Sequence, residues 1–204
     1  MRAWSTVKVF AAGWVIACLC LSGCAETKDE PVSYALLDDL EKTDAGLRKR
    51  ATGELFNGWL VEYYAIGETN QLKSKSMIRE GLLNGLSEGW FSDGQQQIRE
   101  MFVNGKSHGT RTKWHRNGKK QAEDSIEQGE LNGVCRKWHD NGQLAEEMIM
   151  VNGQADGQAR SWHPDGSQKA EVLMKMGEVL KQEFWKEGEK SGGPILTKQG
   201  NEVK

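Results

Sequence analysis

Three sets of glycines and one set of tryptophans recur every 24 residues, a rhythm few folds accommodate. Gly85, Gly109, Gly133 and Gly157 form one set. Trp90, Trp114, Trp138 and Trp162 follow in phase, then Gly94, Gly118, Gly142 and Gly166, then Gly105, Gly129, Gly153 and Gly177. An earlier unit opens at Gly58, with Tyr63 at the tryptophan position and Gly67 at the turn, and it carries three extra residues within 68–75. A partial unit runs from Lys181 through Trp185 to Gly188. Such periodicity marks a repeat architecture in which each unit buries its apolar face against the next. Two glycine-marked turns per unit leave two segments of strand length, so each unit reads as one β-hairpin. A helix would be broken by glycine every dozen residues. The expected fold is all-β: an elongated, single-layer antiparallel meander of stacked hairpins.

The first turn of each unit is readable in more detail. In Pro164-Asp165-Gly166 the proline presets φ for the second position of a type I turn, and the glycine supplies the left-handed residue after it. The result is a three-residue loop in which His163 faces Ser167. Simple alternation outward from that pair places Trp162 on one face with Ala170, Val172 and Met174. Met174 corresponds to Ile78, Phe102, Ile126 and Met150 in the other units, all apolar. The expected sheet therefore has one face striped with tryptophan and these residues. The other face would carry Glu123, Glu127, Glu147, Glu171 and Lys137.

The N-terminus carries a different message. Arg2 and Lys8 precede an uncharged apolar run, Val9 to Leu21, shorter than the roughly 20 residues a spanning helix needs. That pattern reads as an export signal. "LSGC", ending at Cys24, resembles the lipobox of bacterial lipoproteins, which implies cleavage after residue 23 and a lipid-modified (diacylglyceryl, palmitate-type) Cys24 as the first mature residue. Two or three acyl chains exceed what reversible anchoring allows. Ala25 in place of aspartate favours the outer membrane, facing the periplasm, over the inner membrane. Of four cysteines only Cys135 remains unmodified in the mature chain, so no internal disulfide forms there, and it reads as a small strand residue. Loss of Arg2 and Lys8 takes the net charge from −2 to −4, which argues against a nucleic-acid partner.

The units "GTRTKWHRNGKKQAEDSIEQGELNG" and "GVCRKWHDNGQLAEEMIMVNGQADG" resemble the MORN repeat, and more closely the bacterial MORN-variant group that includes the YwqK-like proteins. The resemblance spans about residues 55–190. It implies stacked hairpins and a role as scaffold or membrane-associated adaptor. The YwqK-like group is also described as antitoxin-like, which implies neutralisation of a co-produced toxin.

Site chemistry finds little support beside this structural reading. His115, His139 and His163 occupy equivalent positions two strands apart, roughly 9.6 Å at ~4.8 Å per strand, too far for one metal ion. The chain shows no G-x-S-x-G, phosphate loop or CxxC. We therefore expect no enzyme activity, no metal and no cofactor. The organisation expected is a signal at 1–23, a tether and short capping helix at 24–54, with Leu36, Leu37 and Leu40 at helical spacing, a repeat domain at 55–190 and a tail at 191–204. The structural residues are Tyr63, Trp90, Trp114, Trp138, Trp162 and Trp185, with turn glycines Gly94, Gly118, Gly142 and Gly166. The expected partners are the membrane through Cys24 and another envelope protein. Glycan or peptidoglycan binding along the tryptophan row is the alternative.

Overall fold

The structure, a computed structural model, describes residues 33–66 and 69–188. The signal, Cys24, Gly67 and the tail at 191–204 lie outside the described residues. All described residues belong to one compact unit, Val32–Lys204.

The unit is built almost wholly of strands. A short entry segment supplies β1 (Tyr34–Leu36), β2 (Leu40–Thr43) and β3 (Gly46–Lys49). The repeats supply β4 (Gly58–Ile66), β5 (Thr69–Arg79), β6 (Leu82–Trp90), β7 (Gln96–Val103) and β8 (Lys106–Ser107). They continue with β9 (Gly109–Trp114), β10 (Lys120–Glu127), β11 (Glu130–Trp138) and β12 (Leu144–Val151). β13 (Gln154–Ala155), β14 (Gly157–Trp162), β15 (Gln168–Lys175) and β16 (Glu178–Phe184) complete the series. From β4 to β16 the long strands lie side by side in chain order, every pair antiparallel, as the repeat predicts. The two-residue strands β8 and β13 pair with β7 and β12 just ahead of β9 and β14. β1 joins the β4 edge in parallel.

Both turns have a defined chemistry. At the first, the Gly166 N–H donates to the His163 carbonyl and the His163 N–H donates to the Ser167 carbonyl, with Gly166 at φ +86°. That is the type I turn closed by a left-handed glycine, and His115–Lys119 and His139–Gln143 repeat it. The second turn has two central residues of positive φ, such as Asn104 at +49° and Gly105 at +79°. This is the type I′ geometry, whose twist matches that of the flanking strands.

The face assignment requires a correction. In every unit one extra residue sits on the return strand just beyond the first turn. Trp138 pairs with Leu144 but Lys137 pairs with Glu146, leaving Ala145 as a bulge. Lys73, Gln97, Gln121 and Lys169 do the same elsewhere. One inserted residue reverses the side on which all later side chains emerge. Ile78, Phe102, Ile126, Met150 and Met174, with Ala170 and Val172, therefore lie opposite Tyr63 and the tryptophans, while Glu123, Glu127, Glu147 and Glu171 share the tryptophan face. Lys137 lies on the other.

The entry segment is also corrected. Leu36, Leu37 and Leu40 do not form an α-helix. A single 3-10 turn, Leu37–Asp39, separates β1 from β2. Helical spacing was overridden by pairing: Tyr34, Ala35 and Leu36 gain a partner strand in Trp59, Leu60 and Val61. The β2–β3 hairpin then folds over the first unit. The Leu47 N–H donates to the Gly81 carbonyl, and Phe56 exchanges bonds with Leu47 and Gly81. Ala35, Leu40, Phe56 and Ile78 are buried together there, against Leu47, Leu60 and Leu83. This segment caps the array, as a terminal unit must.

Candidate interaction surface

The two faces differ in kind. The face bearing Ile78, Ile126, Met150, Ala122, Cys135 and Ala170 holds most of the buried apolar residues of the repeats. Cys135 sits there opposite Asp124, and burial pushes its thiol above the usual range, which suits an inert packing residue. Arg111 lies on the same face between Asp124, at 2.8 Å, and Glu100, at 3.7 Å.

The opposite face carries the tryptophans, at equivalent register positions of successive units. Trp90, Trp114, Trp138, Trp162 and Trp185 are all half-buried, whereas Tyr63 is 46% exposed. Neighbouring units hold them in place. The Nε2 of His115 donates to the Trp138 carbonyl at 2.9 Å. His139 makes the same bond to Trp162 and His163 to Trp185. Tyr64 does so with its hydroxyl to Trp90. A carbonyl only accepts, so each histidine presents an N–H at Nε2. The three imidazoles are thus engaged one unit apart from one another. The turn tips are joined as well: Asn117 donates to the Asp140 carbonyl and Asn141 to the Pro164 carbonyl, both at 2.6 Å. The sequence reading missed these bonds, although the recurrence of His after Trp114, Trp138 and Trp162 and of Asn or Asp before each turn glycine was their signal.

Partial burial moderates what a tryptophan is worth. Trp138→Ala removes an aromatic that also receives Lys120 Nζ at 5.6 Å from its ring centre. We expect a loss of about 2–3 kcal/mol, below the roughly 3–5 kcal/mol of a fully buried ring, measured by urea unfolding.

Large apolar side chains are exposed beside this row: Met101, Val103, Ile149, Val151 and Leu173, each 43–44% exposed. They form two clusters, because the middle unit presents Thr110, Thr112 and Ser125 instead. A line of charge crosses the same face from strand to strand. Lys75 pairs with Glu88 and Glu88 with Arg99. Beyond Thr112 the line resumes as Glu123, Arg136, Glu147, Arg160 and Glu171, each beside the next. Arg136 and Glu147 approach to 2.7 Å, Arg160 and Glu171 to 3.8 Å. Exposed pairs are individually weak, yet opposite charges placed directly across strands favour this register over others.

The repeat geometry meets one sequence comparison. Residues 131–152 match the MORN repeat variant family. The matched stretch runs through β11, the first turn, the Ala145 bulge and β12, and the other units repeat those parts, which supports reading the array as MORN repeats. MORN repeats as a class are associated with protein and membrane interaction. No curated protein matches the chain.

Proposed function

We propose that this is a non-catalytic, lipid-anchored protein of the cell envelope that uses its tryptophan face to contact another envelope protein. The observation that carries the reading is the pair of apolar clusters on that face. Met101, Val103, Ile149, Val151 and Leu173 project from a sheet most of whose buried residues lie on the other side. Exposed apolar groups concentrated on one face of a rigid element are the usual mark of an interaction site. Anchoring rests on the lipobox-like "LSGC" at Cys24, and a stable lipid anchor would hold the array at one membrane surface.

Two measurements test this. In the host, Cys24→Ser should move the protein from the membrane pellet to the soluble fraction and abolish palmitate labelling; retention in the pellet would remove the anchor from the proposal. A photo-crosslinking residue at Met101 or Ile149 should give a discrete adduct that the same residue at Lys137, on the opposite face, does not. Equal labelling from both faces would reject the assigned surface. Glycan binding is the second reading, favoured by the half-exposed indoles of Trp114 and Trp138. Salt-resistant sedimentation with murein, lost in the double alanine variant, would favour it.

A further inference from the structure

The two ends of the sheet are finished differently. At the β4 edge, β1 and the β2–β3 hairpin cover the first unit. At the other end, among the described residues, no strand pairs with the outer edge of β16. That edge strand mixes charged residues with exposed apolar ones: Val179, Leu180 and Phe184 are 50, 56 and 38% exposed. An uncovered edge with apolar side chains is a template for another strand.

The charge line shows what kind of strand fits. Signs alternate from Glu123 to Glu171, and then the order fails: Glu171 pairs directly with Glu183. Glu171 keeps Arg160 on its inner side at 3.8 Å, while Glu183 has Lys181 of its own strand at 2.7 Å. A strand added outside β16 would restore alternation by placing a cation opposite Glu183.

We propose that this strand is β16 of a second copy, paired antiparallel about a two-fold axis at Gln182. Backbone groups that point outward from an edge belong to alternate residues, so a strand pairs with its own copy only about an axis through one residue. The choices are few. An axis at Lys181 sets Lys181 against Lys181. An axis at Glu183 sets Glu183 against Glu183. An axis at Leu180 sets Lys181 against Val179 and leaves Glu183 without a cation. With the axis at Gln182, Lys181 of each copy faces Glu183 of the other, and Leu180 faces Phe184. Within Leu180–Phe184 each charged residue thus meets its opposite and each apolar one an apolar partner. The bulge at Leu180 limits the regular run to Leu180–Phe184 on each copy, a segment symmetric about Gln182. The dimer joins two arrays into one sheet and leaves both tryptophan faces open, so it is independent of the proposed envelope contact.

Charge reversal tests the register. The full chain in detergent is measured by light scattering alongside Lys181→Glu, Glu183→Lys and the double variant, each with its melting temperature. We expect the parent chain to be dimeric. Each single variant should raise the dissociation constant about tenfold or more, from two like-charge contacts per dimer. The double variant should dimerise again. Gln182→Cys gives a readout that does not depend on stability. Mild oxidation of that variant should yield a dimer cross-linked through the two introduced thiols, identified by peptide mapping, since paired strands bring position 182 of each copy within disulfide reach of the other. A parent chain that stays monomeric at ~100 µM, well above the dissociation constant of a stable dimer, overturns the proposal; it is the result expected if residues 189–204 occupy the edge instead. So does a double variant no more dimeric than the singles, or a Gln182→Cys chain that forms no cross-link.

Discussion

Ile78→Ala will destabilise the protein by about 3–4 kcal/mol, near the upper part of the range for truncating a buried aliphatic residue. Ile78 has no solvent exposure, and it is where the cap meets the array. Its side chain packs with Ala35, Leu40 and Phe56, drawn from three separate pieces of the entry segment. None of these neighbours can follow a receding side chain easily. β1 is tied to β4, and the backbone around Leu47 and Phe56 is bonded to Gly81. A void should therefore persist, and its cost adds to the lost transfer energy. Met101→Ala is the comparison: at 44% exposure on the other face it should cost under about 1 kcal/mol. Urea unfolding of both variants measures the difference. Similar values for the two would mean that the entry segment adds no core of its own.

Gly81→Ala will have a comparable effect through a different cause. Gly81 closes the first type I′ turn at φ +74°. A left-handed backbone alone costs a residue with a side chain about 1–2 kcal/mol. Here a Cβ would also lie 2.8 Å from the Leu47 carbonyl oxygen and 2.9 Å from its nitrogen. These are backbone atoms of the β2–β3 hairpin, so relief requires that hairpin to lift and to stretch the bond from Leu47 to Gly81. We expect about 3–4 kcal/mol in total. Gly153 provides the internal control. It occupies the same turn position at φ +77°, and nothing lies within 4 Å of where its Cβ would be. Gly153→Ala should show only the left-handed term, about 1–2 kcal/mol. The gap between the two variants, read by urea unfolding, isolates the contact between cap and array.

These contrasts also show what the sequence could convey. The period, the hairpins and the first turn were legible because each rests on a residue that the geometry requires. Gly166 supplies a positive φ, and Pro164 supplies a fixed one. The bulge was not legible, since Lys73, Gln97, Gln121, Ala145 and Lys169 have no common chemistry. Its only requirement is one residue more on one strand than on its partner, and a spacing of 24 is the same with or without it. Simple alternation without that residue puts the tryptophans on the wrong side. The cap was misread for a related reason: Leu36, Leu37 and Leu40 suit a helix locally, but Leu60, Val61 and Phe56 offered the chain a better partner. The charge line on the tryptophan face became visible only once register was known, because Arg136 and Glu147 are neighbours in space but not in sequence.

One recurrent bond gives the array a direction. The glycine N–H of each second turn reaches back to a carbonyl in the preceding segment: Gly177 to Ala155, Gly153 to Leu131, Gly129 to Ser107, Gly105 to Leu83 and finally Gly81 to Phe56. Every segment is thus fastened to the one made before it. A nascent chain would meet its cap first and add each new unit to a finished template, while in a lone copy loosening would begin at the far end and travel backward like a zip drawn from its open side.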